Sequence, residues 1–337
     1  MSHIIDAELY DAGTNEEYHA GDGVSNSQLS VLIGDPAEYG GLFVDGSIEK
    51  SPPTPQMLVG TYLHELVLEG EIQSGMLIPE GKTVVTADKK RELESKVRVV
   101  TCVPNEVLDQ SGYRKGNVYK VWSARFPKTT TKFVKEAEYQ EMQQRVADAF
   151  IPPDGVTMID NDTIDQLHGM RDSIRGHAFA SKLLFGEGES EVPIRGTDAG
   201  SGVLCRCKVD RASLDSDRPF VVDLKTTMDA SPRGFANSVA KFGYHRQQVF
   251  YSRLITAVCA RDVDFWFVVV AKKPPHRVEV YQLEPTWIER GVKEVDAGLR
   301  EFDRCQRSGV WQHEHHGEAL VLPMPRYVNY QDEWEVN

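Results

Sequence analysis

Asp210 closes one alternating segment of the chain, VLCRCKVDR, and Asp223 and Lys225 lie in the next, PFVVDLKT. Residues two apart in a strand project from one face, so Asp223 and Lys225 set a carboxylate and an ammonium side by side. Asp210 can add a second carboxylate from the neighbouring strand. Hard oxygen ligands of this kind suit Mg²⁺ or Mn²⁺. A lysine beside such an ion can orient a water for attack on a phosphodiester and stabilise the charge that develops. The same spacing also fits a salt bridge across a strand pair, because D-x-K is short and common.

Further candidates lie upstream and downstream. Gly60 and His64 are four apart and share a helix face, where the glycine lets another element approach and the imidazole projects beside it. The string HELVL resembles the HExxH zinc motif only superficially, since Leu68 stands in the second histidine's place, and a zinc protease is excluded. His64 alone fits a hydrogen-bonded core histidine; the company of the acids makes it a ligand candidate. Glu191, or Glu189 beside it, can supply another carboxylate or be surface charge. Within YHRQQVFYSR, Gln247 and Tyr251 form an i, i+4 pair next to Arg246, able to hold a phosphate, brace a site, or pack as a buried hydrogen-bonded pair.

Helices and strands must position these groups. Ser25 or Ser27 can cap a helix that stops at Gly34-Asp35-Pro36, and Thr54 can cap a longer one ending at Gly70. The segment 81–135 reads as short strands and loops. Helical spacing returns over 135–149 and 162–185, interrupted by IPPDG. Strands follow at 189–195, 203–211 and 219–226 as a meander. A long helix over 232–259 is capped by Ser231, with Pro232 at its first position and Gly243 as a possible kink. A buried strand at 263–273, a partner at 275–283 and an amphipathic helix over 285–307 complete an α/β core with an antiparallel part.

The 337 residues carry a net charge of −13, unevenly spread. Residues 1–80 hold 14 acids and one base, whereas residues 203–277 hold 7 acids and 13 bases and residues 82–135 hold 5 acids and 13 bases. Phosphate binding needs local positive charge, and these two zones offer it inside an acidic chain. The five scattered cysteines suggest neither a disulfide framework nor a thiolate cluster, and Cys205 and Cys207 read as small residues that pack well. HEHH at 313–316 reads as a polar surface tail. No run reaches the roughly 18 apolar residues of a membrane helix, and the N-terminus lacks a secretory signal, so a cytoplasmic protein is expected.

In order along the chain, YHAGDGVSNSQLSVLIGDPAEY, TPQMLVGTYLHELVLEGE, HAFASKLLFGEGESEV, LCRCKVDRA, FVVDLKTT and FGYHRQQVFYS resemble the PD-(D/E)xK nuclease superfamily, specifically the phage-type exonuclease VIII family. The resemblance implies an α/β fold with a restriction-endonuclease-like core, a central mixed sheet flanked by helices. It implies a single domain over 1–337, with a helical N-terminal part at 18–75, an insertion at 81–135 and the nuclease core at 177–308. Asp210, Asp223, His64, Glu191 and the Leu224 carbonyl would hold Mg²⁺, with Mn²⁺ as a substitute. Lys225 would activate the water, and Gln247 and Tyr251 would support the site. Asp223 stands where many members have Glu. Arg206, Lys208, Arg211, Arg246, Lys272, Lys273 and Arg277 would contact DNA. The implied activity is 5′→3′ degradation of double-stranded DNA for phage recombination, with a single-strand annealing recombinase as partner and a ring-shaped homo-oligomer as the assembly. Single-stranded or endonucleolytic cutting, or an inactive DNA-binding module, are the alternatives.

Overall fold

Asp223 and Lys225 lie near the middle of a six-stranded mixed sheet in the computed structural model of the protein. The structure describes residues 3–97, 99–103, 118–123, 130–153, 156–313, 316–319 and 321–322. The strands are β1 (Ile4–Leu9), β2 (Glu189–Asp198), β3 (Leu204–Ser213), β4 (Phe220–Thr227), β5 (Asp264–Ala271) and β6 (Val278–Tyr281), and their order in space follows their numbers. Strands β1 to β4 pair antiparallel, β4 and β5 run parallel, and β6 returns antiparallel. Around the sheet lie α1 (Asn15–Ala20), α2 (Asn26–Gly34), α3 (Pro36–Phe43), α4 (Pro55–His64), α5 (Asn161–Gly176), α6 (Ala178–Phe185), α7 (Pro232–Phe242), α8 (Tyr244–Cys259) and α9 (Pro285–Ser308).

Both faces of β4 and β5 are covered, which is why these strands read as apolar runs. Val221, Phe265, Phe267 and Val269 enter one core with Phe235, Val249, Leu254 and Val295 from α7, α8 and α9. Val222, Leu224, Val268 and Val270 enter a second core with Leu63, Leu167, Met170 and Leu184 from α4, α5 and α6. Each such side chain contributes roughly 1.5–3 kcal/mol relative to exposure. The parity therefore sends Asp223 and Lys225 toward α8 and leaves Leu224 facing α4. Cys205 and Cys207 are fully buried in the first core as small packed residues.

The expected caps form. Ser25 and Gln28 make a reciprocal capping box, and the hydroxyls of Thr54 and Ser231 accept from Met57 N at 3.3 Å and Gly234 N at 3.2 Å.

Three expectations change, and one strand is new. Residues 232–259 are two helices, because Gly243 takes φ +70°, a left-handed conformation that ends α7 and opens α8. Residues 162–185 also divide, at His177, whose Nδ1 accepts from Ala180 N at 3.1 Å and caps α6. Strand β1, with only Ile4 buried, is an edge strand whose weak alternation concealed it. The segment 81–135 lies partly outside the described residues; within it the strands Val99–Val103, Val118–Ser123 and Thr130–Lys135 form a small sheet, but Ala87–Val97 is a helix. Ion pairs three residues apart, Lys89 with Glu92 and Arg91 with Asp88, support that helix.

The tail expected at 313–316 falls partly outside the described residues. Among those described, no helix is long and apolar enough to cross a membrane.

Candidate metal centre

The β3–β4 ladder covers Arg211, Ala212 and Ser213 against Val222, Val221 and Phe220. Next to its end, Asp210 inserts its side chain between the strands, and its Oδ2 accepts the Leu224 N–H at 2.7 Å. A carboxylate thus takes the place of a backbone acceptor. The side chain is 14% exposed, and burial pushes its carboxyl up to about 6, although His64 and Lys225 pull it down.

His64 reaches the same place from the end of α4. The chain then widens into a π-helical turn, Glu65–Glu69, a local feature common at functional sites and absent from the helical spacing of the sequence. His64 Nε2 lies 2.7 Å from Leu224 O. A carbonyl only accepts, so Nε2 carries the hydrogen and, in the neutral ring, Nδ1 is the bare nitrogen. That Nδ1 is 3.5 Å from Asp210 Oδ2. Helix α4 passes β4 closely at Gly60, where a Cβ would sit 3.5 Å from Thr226 Oγ1, an ordinary contact that the glycine does not strictly require.

Glu191 comes from β2. Its neighbours pair in register, Ser190 with Arg211 and Val192 with Val209, so Glu191 stands opposite Asp210. It adopts φ +55° inside the strand, a strained conformation for a residue with a Cβ and one that re-aims its carboxylate. Glu189, the other acid considered, is exposed at the strand's start. Donor atoms of His64, Glu191 and Asp210 all lie within 4.8 Å of one another. Opposite ligands on a Mg²⁺-sized ion stand about 4.2 Å apart, so small side-chain movements would bring the three onto one ion. Two carboxylates and a bare imidazole nitrogen are a chemically fitting donor set for a divalent cation.

Asp223 stands beside this group and is occupied differently. Its Oδ1 accepts from Gln247 Nε2 at 2.5 Å, and its Oδ2 pairs with Lys225 Nζ at 2.5 Å. Asp223 Oδ2 is buried against that ammonium, so a cation at this oxygen would share it with Lys225. Burial lowers the Lys225 ammonium, but Asp223 and Asp210 outweigh it and hold the group above its ordinary value. The Tyr244 ring lies under Lys225 at 4.8 Å, a partner that D-x-K spacing does not disclose. Burial also raises the Tyr251 hydroxyl well above its ordinary value. The Leu224 carbonyl already accepts from His64; its second lone pair is the one left for an ion.

Residues 116–319 match a family described as a PDDEXK-like domain of unknown function (DUF3799). The chain belongs to this PDDEXK-like family. The crystal structure of a "Putative exonuclease" from Eubacterium rectale is similar in fold to this PDDEXK-like protein, with a TM-score of 0.52 and 14% identity over 94% of this chain and 97% of that one. The crystal structure of SSO0001 aligns at 13% identity over 72% of this chain and 85% of that one, and its TM-score of 0.22 is too low to bear on the fold. No curated protein matches the sequence. Membership and fold agree on the expected core: a central mixed sheet flanked by helices.

The basic residues expected to face DNA divide once the PDDEXK-like domain is folded. Arg206 is 2% exposed and braces α1, donating to the Tyr18 carbonyl and, at 3.0 Å, to the His19 carbonyl. It is a buried strut. Arg211 is a strut too, donating to Ser190 Oγ at 2.9 Å and Gly186 O at 2.6 Å. Arg246 is tied to Glu294 of α9 at 2.9 Å. Lys208 pairs with Glu191 and remains at the site. Lys272, Lys273 and Arg277 flank the turn after β5; Lys272 donates to Gln56 O at 2.6 Å, Arg277 pairs with Glu279, and Lys273 is exposed.

Proposed function

We propose that this PDDEXK-like protein is a Mg²⁺-dependent exonuclease of the exonuclease VIII type. It degrades double-stranded DNA 5′→3′ and leaves 3′ single strands for phage or prophage recombination in a bacterial cytoplasm. A single-strand annealing recombinase is its partner, and a ring-shaped homo-oligomer is its working form. The observation that carries the nuclease reading is the meeting of His64, Glu191 and Asp210 within 4.8 Å, beside the Asp223–Lys225 pair.

Asp210, Asp223, Glu191 and His64, with the Leu224 carbonyl, would hold the ion, which when bound lowers the pKa of water and neutralises the scissile phosphate. The residues themselves do the positioning. The Leu224 N–H fixes the Asp210 carboxylate, and the Leu224 carbonyl orients His64 so that Nδ1 faces the cluster. Gln247 holds Asp223 by one oxygen and acts as a positioning residue. Lys225, kept protonated by its carboxylate neighbours, supplies a fixed positive charge to the attacking oxygen and the phosphate.

Linear duplex DNA labelled at one 5′ or one 3′ end, and a closed circle, incubated in Mg²⁺ or EDTA, test the reading. Early Mg²⁺-dependent release of the 5′ label with the circle spared, and no cleavage by Lys225→Ala, is the expected result. Cutting of the circle overturns the exonuclease assignment, and absence of any cleavage overturns the nuclease reading.

A further inference from the structure

Beside the metal cluster lies a concavity of about 430 Å³, of whose lining the mechanism above uses Gln247 alone. Its lining includes residues tied to both parts of the site: Lys208, which pairs with Glu191, and Gln247, which holds Asp223. Phe242, the last residue of α7, stands at this cavity with 54% of its surface exposed. An isolated exposed phenylalanine is ordinary, and placement is what distinguishes this one. Its ring stacks on Tyr244 at 5.7 Å and 29°, and Tyr244 in turn carries the Lys225 ammonium at 4.8 Å. Two ring contacts therefore connect the exposed aromatic to the lysine of the candidate centre. The left-handed Gly243 between them turns the chain so that residues 242 and 244 can stack.

We infer that this cavity seats one unpaired nucleobase of the strand being cut, stacked on Phe242, so that the chain takes DNA ends separated from their complement. This inference rests on the nuclease reading and names the form of substrate it accepts. A base inside a duplex has both faces covered by its neighbours and offers none to a ring in a concavity. A base released from the stack offers both. Ser25, Ser27 and Ser30 also line the cavity; the Ser25 hydroxyl caps α2 and shares a 2.9 Å hydrogen bond with Ser27, and the remaining hydroxyl capacity can donate to or accept from a base edge. Lys208 at the cavity and Lys241, whose ammonium sits over the Phe242 ring at 5.2 Å and swings off it when a base stacks there, supply cations for the flanking phosphates. Stacking without a fixed donor–acceptor pattern gives binding that tolerates sequence, as an end-degrading enzyme requires.

The full-length protein is titrated in EDTA with single-stranded oligonucleotides, labelled far from the end under study. Each has its base removed at the terminal, second or third position. In the wild type, removal at one of these positions weakens binding about tenfold, the size of one lost aromatic–base stack. Phe242→Ala is expected to bind the intact oligonucleotide about tenfold more weakly and to show no further loss with the abasic one. Phe242→Trp restores both the affinity and the abasic penalty. Phe242→Leu keeps the apolar bulk without a π face, and is expected to behave as the alanine variant does if the fold is intact. An abasic penalty of the same size in wild type and Phe242→Ala overturns the inference. Cleavage of the same oligonucleotides in Mg²⁺ is scored separately: cleavage without coupling sinks the stacking site alone, and coupling without cleavage sinks only the nuclease reading.

Discussion

The carboxylate of Asp210 and the backbone amide of Leu224 share a 2.7 Å hydrogen bond at the point where the β3–β4 ladder gives way to the metal cluster. One acid thereby closes the sheet and faces the site. Burial there holds the carboxyl at about 6, above its ordinary 3.8. A raised carboxyl favours folding while it is neutral; its contribution is complete below the unfolded value and is lost as pH rises through the folded one. Asp210→Asn is therefore expected to abolish cleavage yet stabilise the metal-free protein above pH 6 by about 1–3 kcal/mol. Thermal melts in EDTA at pH 5 and pH 8 check this, with the gain confined to the higher pH.

Lys225 and Asp223 are a buried pair, 16% and 3% exposed in their side chains. Removing one partner strands the other, so Lys225→Met should lose about 3–5 kcal/mol of stability as well as activity. Replacing both, as Asp223→Asn with Lys225→Met, should recover most of the stability and none of the activity. Denaturant unfolding of the two variants separates the outcomes, and a double variant no more stable than the single one would contradict the pairing.

Glu191 is held at φ +55°. A left-handed residue with a Cβ costs about 1–2 kcal/mol that glycine avoids. Glu191→Gly should melt higher than Glu191→Ala in EDTA, while both bind Mg²⁺ or Mn²⁺ more weakly than the wild type by calorimetric titration. Equal melting temperatures would show that the conformation carries no strain.

Helices α8 and α9 are joined at Glu294. Burial raises this carboxyl, but hydrogen bonds from Arg290, Arg246 and His245 outweigh it and hold the group down to about 2. A depressed carboxyl stabilises above its unfolded value, here 4.5, and the contribution is lost as pH falls through about 2. Glu294→Gln is expected to lose about 1–3 kcal/mol near neutral pH and to show a flatter acid limb. Unfolding curves between pH 2 and 7 test the sign.

Much of the sheet was legible before folding. Alternation over 204–213 and the apolar runs at 220–227 and 264–271 are local signals, and they placed three core strands within a few residues. The caps at Ser25, Thr54 and Ser231 were legible for the same reason, since a cap acts on amides two or three residues away. Strand β1 was not, because an edge strand with one buried residue carries almost no pattern.

The sequence by itself determined the chemistry on offer: an aspartate at a strand end, the D-x-K pair on one face of the next strand, and a histidine on a helix. Spacing along the chain could not choose between Glu189 and Glu191, nor tell a strut from a surface arginine. Those choices depend on contacts between distant segments. The His64–Leu224 bond joins residues 160 apart, and the Arg206 guanidinium meets carbonyls of α1 that lie more than 180 residues away. Register between β2 and β3 put Glu191 opposite Asp210, and packing of α1 buried Arg206. Only the tertiary structure decides such matters, because burial and pairing belong to surfaces that exist once the chain has closed on itself.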